Sequence, residues 1–417
     1  MRLPPRFALC HLSLVLGLAA SLPVGRAAAG LAENYIDAEL RVVDGLEKQV
    51  DNLVAVAEEA AQGLLRGGSL YLAGEPGMVA ELNGRAGGLC GAKPITPDKP
   101  LPTFRSGDVI FFSDYGDAAK TIEHRSRELV AGGAMVVAFA SRDNDVVQKP
   151  LPKNVRVIPI EMPCDSRQIA LPSGAKLVPT AAPAIAMAQW ALTAELIGAC
   201  RRKDRQLAVY LSIFLDEGQR RYKRTAGLLF EPDVHPPKAE RGQMARAYLK
   251  DVRTALTTVR RDEAKSLRRA AAWLLDASKS GRNVVRNFMG HLAPLEAGTS
   301  GDVAFFTTMV HSTGNEGAAW IRQNLHEGDV YFFLGYQQNE DGMAMAASQA
   351  GARSIFFTAK RPGPQVANDP QHLDINPHWP ESDACLELPG YDVKACPLTG
   401  VLGLTYYFAI CAEVAIR

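Results

Sequence analysis

The run Ser69-Leu70-Tyr71-Leu72-Ala73-Gly74-Glu75-Pro76-Gly77-Met78-Val79-Ala80-Glu81-Leu82-Asn83-Gly84-Arg85-Ala86-Gly87-Gly88-Leu89 decides the fold. Four mostly apolar residues, Leu70 to Ala73, read as the body of a strand. Gly74-Glu75-Pro76-Gly77 is a turn, and the helical stretch behind it carries Glu81 and Arg85 four residues apart. Strand, turn and helix start form a corner outside the carboxyl end of a strand, where ligands collect in open α/β sheets. Gly74, Glu75, Glu81 and Arg85 are therefore candidate ligand-facing residues. A salt bridge between Glu81 and Arg85 is the competing reading of their spacing.

Working outward, the same order of features occurs twice. In the first copy a helical stretch covers Ala32–Leu65, and strands are expected at 69–73, 108–112, 135–140 and 155–160, with an Ala-rich helix at 181–199. In the second copy a helical stretch covers 244–278. Strands are expected at 283–288, 330–334 and 354–358, with an additional one at 303–307, and an apolar helix runs over 400–416. Gly107-Asp108-Val109-Ile110-Phe111-Phe112 aligns with Gly328-Asp329-Val330-Tyr331-Phe332-Phe333. Apolar strands without alternation are covered on both faces, as in parallel sheets. The fold class is α/β: two three-layer αβα sandwiches with mainly parallel, doubly wound sheets. The domain boundaries read 30–200 and 244–417, joined by 201–243, in which 208–214 is a candidate strand and Arg220, Arg221, Lys223 and Arg224 form a basic cluster.

Residues 1–29 read as a secretory leader, with a membrane anchor as the alternative: Arg2 and Arg6, an apolar stretch from Phe7 to Leu22, then Ala27-Ala28-Ala29. The expectation is an exported protein, periplasmic or extracellular, with no membrane span in its mature chain. The net charge is +1, from 46 basic and 45 acidic residues. Loss of Arg2, Arg6 and Arg26 with the leader leaves 43 against 45, so there is no electrostatic case for a nucleic-acid partner. Of the six cysteines beyond the leader, Cys385 and Cys396 make the most plausible disulfide, with buried free thiols as the alternative.

At these residues the chain resembles the SIS (sugar isomerase) domain family. Ala80-Glu81 and Arg85-Ala86-Gly87-Gly88-Leu89 match part of one bacterial branch's motif in the first copy. Gly290-His291, followed by Glu296, matches the remainder in the second. Of the family's serine-rich phosphate loop, Ser113 and Gly116 remain within Ser113-Asp114-Tyr115-Gly116. The second copy reads Gly335-Tyr336 and keeps only the phenol of Tyr336 as a hydroxyl. The resemblance covers about two thirds of the chain. It implies tandem αβα domains facing each other and a sugar or phosphosugar ligand held between them.

Isomerisation of a sugar requires a base and a ring-opening acid. Glu81 is the candidate base and His291 the candidate proton relay. Ser113, Asp114, Tyr115, Gly116, Glu296, His311, Gly335 and Tyr336 are candidate ligand-binding residues, with His311 in a polar glycine loop. Asp114 and Asp117 would repel a phosphate dianion, which favours a neutral polyol, an amine or a cation. A non-catalytic binding module, or a structural envelope protein with an eroded site, is the alternative to an enzyme. The Gly74–Gly77 turn is too short for a dinucleotide fingerprint, and no cofactor is expected. His372-x-Asp374-x-x-x-His378 lacks an organised element beneath it, so no metal is assigned. A homo-oligomer is compatible with the sequence.

Overall fold

The computed structural model describes residues 30–96, 98–113, 125–130, 132–142, 151–162, 167–170, 176–179, 181–297, 306–336 and 340–415. The leader, Cys164, and the ligand-loop residues Asp114, Tyr115 and Gly116 lie outside them. Leu31–Arg417 forms one compact unit.

Two five-stranded parallel sheets occupy this unit. The first consists of β1 (Leu70–Gly74), β2 (Ala92–Pro94), β3 (Val109–Ser113), β4 (Met135–Ser141) and β5 (Val155–Ile160). They lie in the order β2-β1-β3-β4-β5. The second consists of β6 (Val284–Phe288), β7 (Thr308–Val310), β8 (Val330–Leu334), β9 (Arg353–Phe357) and β10 (His372–Ile375). They lie in the order β7-β6-β8-β9-β10. The two orders are the same. The aligned runs of the two copies become the central strands β3 and β8, and every residue of both is buried.

Alternation of side chains assigns each strand residue to a layer. Val109 and Phe111 of β3, with Phe332 of β8, Phe357 of β9 and Phe288 of β6, join one large core that faces both sheets. Ile110 and Phe112 turn to a second core on the far face of the first sheet. Tyr331 and Phe333 turn to a third on the far face of the second. The shared core is filled by helices α1 (Leu31–Lys48), α2 (Val50–Leu65), α4 (Ala181–Arg201), α5 (Gln243–Asp262), α6 (Ala264–Lys279) and α8 (Thr399–Val414). α4 and α8 are buried at every residue. A helix apolar on all sides belongs in such an interior.

α1 and α2 divide the stretch expected at 32–65, and α5 and α6 divide that expected at 244–278, with a break at Glu263. Two strand expectations are corrected. Residues 208–214 are not a strand, although Gln206–Leu207 pairs with Phe230–Glu231 and Val209 forms a single bridge with Leu89. In the second copy Phe306 and Thr307 are irregular, the edge strand is Thr308–Val310, and 303–305 lie outside the described residues. Cys385 and Cys396 face each other across the hairpin of Ala384–Leu386 and Ala395–Pro397 but remain free thiols. Sγ of Cys385 donates to the Cys396 carbonyl at 3.2 Å.

No described helix is long and apolar enough to cross a membrane.

Candidate functional site

α3 (Pro76–Leu82) follows β1, and the short helix α7 (Ala293–Glu296) follows β6. These two corners abut: Gly77 packs directly against Leu292 and the carboxylate of Glu296. The turns after both opening strands are thereby brought to one place. Gly290, in the second turn, has φ +105°, and a Cβ there would lie 2.9 Å from the Tyr336 hydroxyl. Backbone conformation and space both demand glycine.

A cleft of about 250 Å³ opens at this junction. The first copy contributes Gly84, Arg85 and Ala86. The second contributes Gly290, His291, His311 and Tyr336, and the connecting segment contributes Tyr210 to Phe214. Asp383 completes the lining, and Arg85, Gly290, His291, Gly335 and Tyr336 also border a smaller void with Thr399 and Gly400.

Arg85 organises the floor. It is buried, and its guanidinium donates to Glu81, Asp383 and Thr399. The contact with Asp383 is 2.6 Å. Its Nε is buried without a partner among the described residues. Burial disfavours the charge on Arg85, but the carboxylates of Asp383 and Glu81 more than offset that and hold its pKa above the usual value. Asp383 is fixed in turn by the Thr399 N–H at 3.3 Å. The first turn of α8 thus closes over the ion pairs.

Glu81 lies behind Arg85 and does not line the cleft. Its other oxygen accepts from Trp190 Nε1–H of α4 at 2.9 Å. Gly400 presses on the same carboxylate, since a Cβ at Gly400 would fall 2.0 Å from Glu81 Oε1. Burial raises the Glu81 pKa, opposed by Arg85 and Trp190. The expected direct contact between Glu81 and a ligand is therefore corrected. A carboxylate sealed on all sides reaches a ligand only through Arg85, and the salt bridge that competed with the catalytic reading is present.

His291 faces the cleft. Burial pushes its pKa down to about 4, the Arg85 charge adds to this, and a hydrogen bond from the ring to the Ala80 carbonyl opposes it. The imidazole is neutral at physiological pH. Burial pushes the Tyr336 phenol pKa up, so Tyr336 is also uncharged there.

Ser113 is buried, accepts from Gln189 Nε2 at 3.1 Å and does not line the cleft. Gly74, Glu75 and Glu296 sit beside the junction without lining the cleft. The three residues of the metal-like spacing are separately engaged. His372 Nδ1 bonds Ser354 Oγ at 2.8 Å, Asp374 pairs with Arg361, and His378 Nε2 lies 3.1 Å from Glu263. In the basic cluster Arg221 is buried against Glu231, while Arg220, Lys223 and Arg224 are exposed.

Sequence reasoning did not single out Asp383, Thr399, Trp190 or Phe214. Only Asp383 carried a visible sign, an acidic residue in the turn Glu381-Ser382-Asp383, and its φ of +68° gave no local warning.

No family model and no curated protein matches the sequence. Among solved structures the chain is similar to one named as a sugar binding protein of Salmonella typhimurium LT2. The identity is 10%, the match covers 93% of this chain and 99% of that one, and the TM-score is 0.48. It is also similar to the C-terminal domain of glucosamine-fructose-6-phosphate aminotransferase from Francisella tularensis, at 10% identity, with 93% and 95% covered and a TM-score of 0.48. A third, named as a tagatose-6-phosphate ketose/aldose isomerase of Clostridium novyi NT, is 8% identical, with 93% and 89% covered and a TM-score of 0.46. The backbone of this chain is itself a tandem pair of αβα sandwiches of one strand order, the arrangement that the resemblance to the SIS family implies.

Proposed function

We propose that this protein binds a non-phosphorylated sugar, neutral or aminated, in the cleft between its two sheets. One observation carries the reading: Arg85, the only cation that the first copy places at the cleft floor among the described residues, is already matched by Glu81 and Asp383. A phosphate dianion needs donors whose positive charge is uncommitted. Here it would meet the Asp383 carboxylate, a neutral imidazole and a phenol, with the Glu81 carboxylate behind Arg85. Hydroxyls and an ammonium group suit that lining. The leader-like residues 1–29 support export to a compartment where such sugars are met without phosphate.

A second reading, aldose–ketose isomerisation, is favoured by the neutral His291 ring at the cleft wall. An uncharged imidazole both donates and accepts hydrogen bonds, which suits relaying a proton at the ring oxygen as the sugar opens. Glu81 acts there as a positioning residue, through Arg85.

Titration calorimetry with free sugars, amino sugars and their phosphates tests the first reading. Tighter binding of a free sugar than of its phosphate is expected, and the reverse order overturns it. Exchange of solvent deuterium into the bound sugar, followed by NMR, tests the second. Its absence with a tightly bound sugar leaves a binding protein.

A further inference from the structure

The cleft lining is of two kinds. Arg85, His291, His311, Tyr336 and Asp383 are polar. Leu211, Ile213, Phe214 and Met289 are apolar. Ile213 is 54% exposed and Phe214 57%. A lone exposed apolar side chain needs no explanation. Two adjacent ones that line a polar cleft do.

Their segment is anchored on both sides. Gly87 N–H donates to the Tyr210 carbonyl at 2.8 Å, Tyr210 N–H donates to the Gly88 carbonyl at 2.9 Å, and Leu215 N–H donates to the Ser212 carbonyl at 3.0 Å. Tyr222 stacks on Tyr210 at 5.7 Å and is itself 47% exposed, so the apolar surface continues outward from the cleft. Sites that enclose a whole drug-sized ligand measure roughly 300–1,000 Å³. The cleft is smaller, at about 250 Å³. A cleft of that size has room for a sugar ring, and Ile213 and Phe214, exposed in its lining, offer apolar surface to a substituent on that ring.

We propose that the ligand is amphiphilic: a sugar carrying an alkyl, acyl or aryl substituent, with the ring in the polar cleft and the substituent laid against Ile213 and Phe214. This rests on the sugar reading given above and adds the apolar half of the ligand. The contribution of that half scales with the apolar area it removes from water.

Titration calorimetry of the full chain with paired methyl and octyl glycosides tests it. The pairs are those of glucose, galactose, glucosamine and N-acetylglucosamine, with the octyl forms below their micellar concentration. For at least one sugar the octyl form is expected to bind tenfold or more tighter than the methyl form. The ratio falls toward one in Ile213→Ser/Phe214→Ser, or in Phe214→Ser alone if the double variant does not fold. It is retained in Leu228→Ser, an exposed position outside the cleft. Equal affinity of methyl and octyl forms overturns the proposal and leaves the sugar reading standing, as does an octyl advantage that survives the variants. Octyl binding indifferent to the sugar, with variant-sensitive sedimentation on phosphatidylglycerol vesicles, overturns it in favour of a membrane surface. Failure of every glycoside, methyl and octyl alike, removes the sugar reading itself.

Discussion

Arg85 and Asp383 stand 298 positions apart in the chain and meet at 2.6 Å under the mouth of the cleft. The contact joins the corner of the first sheet to the segment that leads into the last helix. Glu81 on the same guanidinium makes a buried charge triad.

Removal of the cation from that triad leaves two buried carboxylates facing each other. Breaking a buried pair in this way costs about 3–5 kcal/mol. Arg85→Met is expected to lower the unfolding free energy by that order, read by urea denaturation. Arg85→Met/Glu81→Leu is expected to recover part of it. Equal stability of Arg85→Met and the parent would show that the triad does not form in solution.

Glu39 of α1 is fully buried, and burial raises its pKa to about 8. A carboxyl group raised in this way holds its proton in the folded state when the unfolded chain has released it. Its cost is absent below the unfolded pKa and grows as pH rises through the interval up to about 8. Glu39→Gln is expected to match the parent near pH 4 and to exceed it by a few kcal/mol at pH 9. Thermal melts across that range decide it. Parallel pH profiles for the two proteins would contradict the assignment.

His291 has the opposite sign. Its folded pKa lies near 4, below that of the unfolded chain, so the unfolded state takes up the proton first as pH falls. Its contribution is complete above about pH 6.5 and is lost on acidification toward pH 4. His291→Gln is expected to reduce acid sensitivity in that window by roughly 3 kcal/mol. Binding through the neutral ring is expected to be flat with pH from 7 to 9, measured by calorimetry.

Gly400 has no room for a methyl group, because Glu81 Oε1 occupies its Cβ position. Gly400→Ala is expected to displace the first turn of α8 and cost more than about 2 kcal/mol, as overpacking does in a close-packed interior. Gly281→Ala, where nothing lies within 4 Å but φ is +65°, isolates the backbone cost alone at about 1 kcal/mol. Comparable losses in the two variants would mean that the Glu81 carboxylate is free to move.

The strand pattern was legible because β3 and β8 are apolar without interruption, which only burial on both faces explains. The edge strands were harder to read. β2 is Ala92-Lys93-Pro94, three residues with an exposed lysine and a proline, and β10 begins with a histidine. The sequence also pointed to one cleft shared by the turns after the two opening strands, with Glu81 and His291 in it, where Arg85 stands in place of Glu81. It did not indicate that Glu81 is shut in. That follows from Trp190, 109 residues away on a helix whose apolar surface carries no direction, and from Gly400, whose role as a contact surface leaves no trace in composition.

Helices α4 and α8, enclosed at every residue, come from different copies of the repeat yet lie in the same interior. Neither copy retains a complete inner layer of its own. Cutting the chain within 201–243 would give two fragments, each with a naked oily flank, prone to precipitate when expressed alone and able to recover only by finding each other. Two halves that share one interior in this manner are held to a single polypeptide.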